Sequence, residues 1–305
     1  MHNVLSRKWK SSTSTLFLII LAFHGLSNFK RIKYPSHDLN LTSSKRLHFT
    51  SSEIELPLHS FLTSQEDKSD APKILVCAMF RIWQGDQFGM KRKHLKDWIS
   101  YLYWAGVTHM RLYDHCHHDN ECQINLRNIE YVRWQSTDYA SAQITAIRDC
   151  ISNALAHNFT WVLSCDIDEY PFSPVDPLNG FLSRLIHSLS SSTSQILLRS
   201  MFFGEKSGTP LKSNESIHAR YLYRAKIPEA DHHRTKPIFM PSRVAEFQPN
   251  IVHEMVMLTG DTLVAAPEKA RLNHYWGYRL EIGKENLIFD SSLPEAWMDL
   301  SLIHI

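Results

Sequence analysis

Several features that would assign this sequence to a class at once are missing from it. The formal net charge is only +2, so no strong electrostatic surface for nucleic acid is expected. A mean hydropathy of -0.28 excludes a polytopic membrane protein. There are only five cysteines and no Cys-x-x-Cys pair, which argues against a structural zinc site. No internal repeat is evident, and 305 residues suffice for one large α/β domain with extensions.

What is present begins with a targeting signal. A basic segment, residues 7–10, precedes an apolar run over residues 16–26. This run is short for a membrane span, which needs ~20 mostly apolar residues, and a cleaved signal peptide is the alternative. No clean small-x-small cleavage site follows, so we favour an uncleaved signal anchor over residues 13–29 behind a cytoplasmic tail of residues 1–12.

Glycosylation sequons and cysteines agree with entry into the secretory pathway. The sequons begin at Asn40, Asn158 and Asn214. Five cysteines suit an oxidising lumen and leave one unpaired, and Cys116 and Cys122 are spaced to close a small loop. The Ser-, Thr-, Lys- and His-rich residues 30–71 are interpreted as a stem, with a poorly ordered N-terminal extension as the alternative.

Alternating strands and helices are predicted from residue 72 onward. Apolar runs predict strands, and apolar residues at helical spacing predict one helix around residues 95–102 and another around residues 144–155. This order predicts an α/β domain with a doubly wound, mainly parallel sheet flanked by helices. Ligands of such sheets bind beyond the carboxyl ends of the strands. The predicted strands are residues 73–80, 107–113, 129–134, 161–165 and 196–203.

The strongest chemical feature is a group of carboxylates directly after the fourth predicted strand. Asp166, Asp168 and Glu169 would repel one another unless a cation lies among them. Oxygen ligands suit Mn²⁺ or Mg²⁺, which keep positions open for phosphate oxygens of a substrate. Either His253 or His274 is a candidate to complete the metal shell. The alternative interpretation is a solvated acidic turn, because an isolated Asp-x-Asp is a weak motif.

Taken together, the motifs resemble those of glycosyltransferase family 92, in the same order. The resemblance extends over about residues 73–280. It is carried by the segments Asp97–Tyr101, Ala105–Val107, Leu112–His115, Gln143–Cys150, Asp166–Tyr170 and Lys236–Ile238, and by His253 and the pair His274-Tyr275.

The resemblance implies a GT-A fold in a catalytic domain of residues 72–280. It also implies a nucleotide-sugar donor, with UDP-galactose expected, and a glycan or glycoconjugate acceptor. The protein would then be a single-pass type II protein of the Golgi membrane with a lumenal catalytic domain; a secreted form is the alternative. Carried over by residue, Asp166 and Asp168 become metal and diphosphate ligands, His274 or His253 a third ligand, and Asp114 a residue near the nucleotide.

Three features depart from the family pattern. Asp97 stands where the family usually has Glu, the loop of residues 81–90 has no counterpart, and residues 281–305 form an atypical C-terminal tail.

Inverting transfer needs a base for the acceptor hydroxyl, and the candidates are Glu169, Asp231 and Glu254. Two other functions stay open: a metal-dependent phosphohydrolase, and a non-catalytic module that binds a glycan or a protein partner.

Overall fold

The computed structural model describes the greater part of the predicted catalytic domain. The described residues are 71–80, 92–115, 129–134, 138–204, 216–226, 234–245, 252–277, 280 and 284–301. The predicted cytoplasmic tail, the predicted anchor and all of the predicted stem but Ala71 lie outside these residues and stay predictions. Within the described ranges, no helix is both long enough and apolar enough to cross a membrane.

The first half of the domain is a parallel sheet, as the sequence predicted. Its strands are hydrogen-bonded in the order β3-β2-β1-β4, and every neighbouring pair is parallel. All residues of β1 are buried, which explains its uninterrupted apolar sequence. The bounds are β1 Ile74–Phe80, β2 His109–Asp114, β3 Ile129–Arg133 and β4 Trp161–Ser164.

Helices cover both faces of this parallel half. Helix α1 spans Arg92–Ala105 and helix α2 spans Tyr139–Ala156. Because successive strand side chains point to opposite faces, Val76 belongs to the same apolar cluster as α1, and Cys77 to the same cluster as α2. A disulfide between Cys77 and Cys150 joins β1 to α2. The predicted loop between Cys116 and Cys122 lies outside the described residues.

Local sequence signals mark where the helices begin and end. Helix α1 stops at Gly106, which has a φ of 108°, and the Val107 amide donates to the Leu102 carbonyl oxygen 3.0 Å away. A left-handed residue with such a bond is a common helix ending, and glycine adopts it at little cost. Helix α2 begins after Asp138, whose carboxylate accepts from the Ser141 amide at 3.0 Å. Both helices were predicted from their apolar spacing.

The second half of the domain is a mixed sheet, so the predicted parallel arrangement holds only in part. Strand β8 is antiparallel to both of its neighbours, β4 and β6, because the chain reverses direction there. The full order is β11-β7-β6-β8-β4-β1-β2-β3, with β9 and β10 also paired to β6. These later elements are β5 Glu169–Phe172, α3 Phe181–His187, β6 Thr193–Gly204, α4 Ile217–Arg220, β7 Tyr223–Ala225, β8 Thr235–Phe239, β9 Asp261–Val264, β10 Arg271–Gly277, β11 Leu287–Phe289 and α5 Ser292–Ser301.

Strand β10 connects the end of the domain to the carboxylates that follow β4. It runs parallel to β6 and antiparallel to β5, and the register places His274 opposite Glu169. Directly opposite residues of an antiparallel pair have neighbouring side chains. A histidine more than a hundred positions away in the chain is therefore brought to the acidic segment by strand pairing.

The C-terminal residues of the described chain pack into the core. Trp297 of α5 lies with its ring centroid 5.7 Å from that of Tyr101 and 5.5 Å from that of Trp104, both on α1. Residues 284–301, which fall in the segment predicted as an atypical tail, thus contribute a strand and a helix to the domain.

Candidate active site

Three carboxylates form what we call the acidic edge: Asp166, Asp168 and Glu169. They lie in the turn between β4 and β5, which is closed by a 3.1 Å bond from the Glu169 amide to the Asp166 carbonyl oxygen. The backbone on the β5 side is held by α1, since the Trp98 indole N–H donates to the Glu169 carbonyl oxygen at 2.8 Å. The buried strands and the helix therefore fix the position of three neighbouring carboxyl groups, with Glu169 at the first position of β5.

The carboxylate of Asp166 is engaged on both of its oxygens. Gln143 Nε2 of α2 donates to Oδ1 at 3.1 Å, and Lys236 Nζ of β8 donates to Oδ2 at 2.7 Å. The Asp166 amide in turn donates to Glu169 Oε2 at 2.7 Å. Asp166 is thus part of a closed hydrogen-bond network rather than a freely hydrated acid.

Lys236 is the buried cation of this network. Its side chain is 3 % exposed, and Nζ also lies 3.4 Å from Glu169 Oε2. Burial by itself would lower the pKa of Lys236, but Asp166 and Glu169 outweigh it and raise that pKa, so the ammonium stays charged. In the sequence, Lys236 is recognisable only as part of the Lys236–Ile238 segment shared with the family, because a lone lysine in a strand gives no signal of the carboxylates that contact it.

His274 faces the other side of the acidic edge. Its Nε2 lies 3.6 Å from Asp168 Oδ2 and accepts a 2.9 Å hydrogen bond from the Trp276 indole N–H. Its Nδ1 is buried without a hydrogen bond and lies 3.4 Å from Glu169 Oε1. Burial opposes protonation of His274, yet Asp168 and Glu169 raise its pKa. The structure therefore brings His274 to Asp168 and Glu169, and its role as a metal ligand stays a prediction.

His253 lies beside the start of β8. Its Nδ1 is 3.0 Å from the Thr235 carbonyl oxygen, while its own carbonyl oxygen accepts from the Thr235 hydroxyl at 2.6 Å. Burial lowers the pKa of His253, against the opposing effect of its bond to the Thr235 carbonyl oxygen. In the part of the chain that the structure describes, however, no three His, Cys, Asp or Glu side chains converge into a ready metal cluster.

A small open cleft lies beside the acidic edge, at the carboxyl ends of β1, β2 and β4. Asp166 and Gln143 line it together with Tyr113 at the end of β2. This is the position where sheets of this kind bind ligands. Asp114, predicted to lie near the nucleotide, follows Tyr113; it is buried, and its carboxylate accepts from the Tyr131 hydroxyl.

The remaining predicted residues are placed as follows. Glu169 is buried within the network, and burial raises its pKa to about 7 against the opposing effect of Lys236. Glu254 is exposed, whereas Asp231 lies outside the described residues. Of the sequon asparagines, Asn158 is exposed with a φ of 56°, and Asn40 and Asn214 lie outside the described residues.

Comparison with known proteins assigns the chain to a family. The model of glycosyltransferase family 92 matches residues 87–296, more than half of the 305 residues. The chain therefore belongs to glycosyltransferase family 92. The matched region reaches 16 residues beyond residue 280, where the resemblance was expected to end.

A relative and two solved structures add detail. A family 92 glycosyltransferase protein of Ricinus communis is 27% identical over 224 residues, which cover 70% of this chain but only 36% of that protein. This chain thus spans about a third of that relative's length. A glycosyltransferase involved in glycosylation of the major capsid of PBCV-1 is 11% identical, over 74% of this chain and 100% of that one, with a TM-score of 0.34. A 4-diphosphocytidyl-2C-methyl-D-erythritol synthase is 12% identical, over 76% and 98%, also with a TM-score of 0.34.

Proposed function

We propose that this protein transfers a sugar, with galactose expected, from a UDP-sugar to a glycan or glycoconjugate acceptor with the help of Mn²⁺ or Mg²⁺. Family membership supports the reaction class and implies a nucleotide-sugar donor and a glycan acceptor. The observation that carries the metal-dependent version is the approach of the Asp168 carboxylate and the His274 imidazole to 3.6 Å beside the cleft. We expect the domain to follow the GT-A plan that the motifs imply.

The residues present suit a divalent cation. Asp168 offers a carboxylate oxygen, and His274 Nε2 lies 3.6 Å from it. That nitrogen accepts from the Trp276 indole N–H, so a cation bound by His274 would replace this hydrogen bond. Imidazole nitrogen and carboxylate oxygen are ligands that Mn²⁺ accepts, and Mg²⁺ favours the carboxylate. Glu169 Oε1 lies 3.4 Å from Nδ1 of the same ring, and a hydrogen bond formed there would orient the imidazole, as carboxylates commonly do for metal-bound histidines.

The cation would bind the donor's diphosphate oxygens and neutralise the charge that develops on the leaving group. The chain's own residues would orient the donor: Gln143 and Asp166 line the cleft at the strand ends, and the nucleoside is expected on that side of the sheet, where Asp114 ends β2. In the proposed inverting reaction, the acceptor oxygen bonds to the anomeric carbon as the bond to the diphosphate breaks. The acceptor proton passes to a carboxylate base.

The candidate bases differ in their surroundings. Glu169 is enclosed by Lys236, His274 and the Asp166 amide, so it is suited to positioning these groups rather than to meeting an acceptor hydroxyl. Glu254 is exposed, and Asp231 lies outside the described residues. We therefore retain Glu254 and Asp231 as the candidates for the base.

The rival functions are not favoured. Membership in a glycosyltransferase family argues against a phosphohydrolase. A non-catalytic binding module was suggested by the atypical tail of residues 281–305, but the family match includes residues 281–296, which are most of that tail. A Golgi membrane location with type II topology remains our proposal; it rests on the basic and apolar N-terminal sequence and the sequons.

The test replaces one carboxylate. We expect Asp168→Asn to lower Mn²⁺-dependent transfer from UDP-galactose by about 1,000-fold, or about 4 kcal/mol, because the cation loses a ligand. The stability of the ligand-free protein should change by less than about 0.5 kcal/mol, since Asp168 lies in a turn at the edge of the fold. Transfer is measured with radiolabelled donor and a panel of simple glycans, and stability by urea unfolding.

The matched control is Asp176→Asn, which alters a surface ion pair with Arg184 and should leave transfer unchanged. Full transfer by Asp168→Asn would refute the metal-binding role of the acidic edge. A positive donor screen with a UDP-sugar other than UDP-galactose would revise the donor while leaving the role of the edge intact.

A further inference from the structure

Two exposed aromatic residues lie side by side on the outer strands of the mixed sheet. Tyr223 of β7 is directly opposite Phe289 of β11, and their ring centroids are 5.6 Å apart in an edge-to-face arrangement. Tyr223 is 44 % exposed and Phe289 57 %. Within the described residues β11 pairs only with β7, so it is an edge strand of the sheet. We call Tyr223 and Phe289 the aromatic pair.

The aromatic pair lies on the same face of the sheet as His274. Arg224 of β7 is opposite Phe203 of β6, so these two share one face, and Tyr223, next to Arg224, lies on the other. Phe202, next to Phe203, lies on that other face too, and its ring centroid is 5.0 Å from that of His274. The aromatic pair and the imidazole beside the acidic edge therefore belong to one surface.

The strand register also sets the distance between the aromatic pair and the candidate active site. His274 is opposite Phe202 on one side of β6, whereas Tyr223 lies on the other side of β6, beside Gly204 at its end. With strands about 4.8 Å apart and a rise of about 3.3 Å per residue, the Cα atom of His274 is about 12 Å from that of Tyr223 and about 16 Å from that of Phe289. A few sugar residues of a glycan span such a distance.

The exposed groups suit a pyranose ring. One face of a pyranose carries several C–H groups, and an aromatic ring offers them a flat apolar surface. The hydroxyls at the rim of the sugar need polar partners, and Lys226, Glu285 and Asn286 are exposed at the other end of the same two strands. The Lys226 amide donates to the Asn286 carbonyl oxygen at 3.0 Å, which keeps these polar residues beside one another.

The exposed aromatic area is small compared with a protein interface. About half of each of the two residues is exposed, which amounts to roughly 200 Å² in total. A stable dimer buries about 800 Å² on each copy. A glycan chain, which a few rings and hydrogen bonds can hold, is therefore a better fit to this surface than a second copy of the protein.

Building on the proposed function, we propose that the aromatic pair is a distal subsite for the glycan acceptor. Tyr223 and Phe289 stack on a sugar residue a few units away from the acceptor hydroxyl, while the reacting end of the glycan lies at the acidic edge. The aromatic pair touches neither the donor nor the reacting atoms. It adds affinity only for acceptors long enough to reach it, so oligosaccharides should be preferred to monosaccharides.

The first experiment compares wild type with Phe289→Leu in the full chain, because leucine keeps an apolar side chain but lacks the ring. The probes are gluco-, galacto- and N-acetylglucosamine oligosaccharides of one to six residues, titrated calorimetrically without donor or metal. We expect the Kd of Phe289→Leu for the longer probes to rise about tenfold, or about 1.4 kcal/mol, and the Kd for the monosaccharides to stay within about twofold. The conservative variant Phe289→Tyr keeps the ring and should bind like wild type.

The matched control is Leu263→Ala on β9, which alters a residue that is 43 % exposed and pairs with the other end of β6. It should bind every probe like wild type. If the affinity of wild type does not rise with the length of the probe, or if Phe289→Leu binds all lengths like wild type, the subsite does not exist. A wild-type dimer that Phe289→Leu dissociates, as measured by sedimentation, would show an interface between copies and would also overturn the proposal.

Transfer kinetics separate a subsite from a disturbed active site. With an oligosaccharide acceptor, KM should rise about tenfold in Phe289→Leu while kcat stays within about twofold, because only ground-state binding is lost. Equal losses with short and long acceptors would contradict the distal position of the aromatic pair. If wild type transfers from no UDP-sugar, yet its affinity for longer probes is lost in Phe289→Leu, the proposed function fails while the glycan subsite stands.

Discussion

Two charged clusters in this protein have nearly opposite compositions. The acidic edge has three carboxylates and one buried ammonium, that of Lys236. The second cluster has one carboxylate, Asp290, between the guanidinium groups of Arg224 and Arg271 at 2.5 and 2.8 Å. Both join segments that are distant in the chain, yet only the first has the properties of a ligand site.

The two clusters differ in whether their charges are balanced by neighbouring side chains and in whether solvent reaches them. Asp290 Oδ2 accepts from both arginines, and its Oδ1 accepts from the amide and hydroxyl of Ser292 at the start of α5. Asp290 thus latches β7, β10 and α5 together, and its side chain is 10 % exposed. At the acidic edge, negative charge is in excess, and the Asp166 side chain is 31 % exposed beside a cleft. We interpret excess charge that solvent can reach as a sign of a ligand site. We interpret charge that is balanced by neighbouring side chains as a sign of a structural ion pair.

The strongest test of this contrast is Asp290→Ala. The buried Arg271 and the half-buried Arg224 would lose their counter-ion, so the free energy of unfolding should fall by about 3 to 5 kcal/mol. Below the melting temperature, the affinity for Mn²⁺ and UDP should stay at the wild-type value. Urea unfolding and calorimetric titration measure the two quantities.

The surface pair Asp176–Arg184 supplies the control, since Asp176→Ala should cost less than about 1 kcal/mol. Asp168→Asn is expected to behave in the reverse manner to Asp290→Ala, with activity lost and stability kept. A loss of donor binding in Asp290→Ala at low temperature would mean that the second cluster also belongs to the site. The distinction between a ligand-site cluster and a structural cluster would then be wrong.

Lowering the pH tests the contribution of the same Asp290 cluster to stability. The two arginines and Ser292 hold the pKa of Asp290 at about 2, although burial alone would raise it. Because the folded-state pKa lies below the ordinary value of 3.8, this contribution is present above pH 3.8 and is lost as the pH falls through about 2. The stability difference between wild type and Asp290→Asn should therefore shrink toward pH 2, with about 2 kcal/mol of it disappearing. If the stability difference between wild type and Asp290→Asn stays constant from pH 5 to pH 2, Asp290 does not stabilise the fold through these ion pairs.

A smaller effect is expected behind the acidic edge, at His218. This histidine is 2 % exposed, and its ring lies 5.9 Å from that of Tyr170, the residue after Glu169. Burial lowers the pKa of His218 to about 4, so its contribution to stability is present above pH 6.5 and is lost as the pH falls through 4. At pH 5 the loss should be about 2 kcal/mol relative to pH 7.5.

The variant His218→Gln removes this titration. Its stability should be about 2 kcal/mol less sensitive to the change from pH 7.5 to pH 5 than that of wild type, as measured by urea unfolding at the two pH values. Equal pH dependence in the two proteins would show that His218 is not the buried neutral group described here.

Sequence pattern was most informative in the parallel half of the domain. Strand β1 and helices α1 and α2 were predicted because burial on both faces of a strand, and on one face of a helix, leaves a local apolar period. In the mixed half, β8 contains a proline and a lysine, and β10 has adjacent polar residues, Asn273 and His274, so neither strand has a regular apolar period. The antiparallel insertion of β8 between β4 and β6 was accordingly missed.

The same division holds at the site. The sequence by itself determined that carboxylates follow a buried strand, because Asp166, Asp168 and Glu169 are neighbours in the chain and a strand's end is a local property. Only the tertiary structure decided that Lys236 neutralises Asp166 while His274 faces Asp168. Those contacts depend on the register of strands joined across about 70 and 105 residues, and register is set by packing of the whole sheet rather than by any local signal.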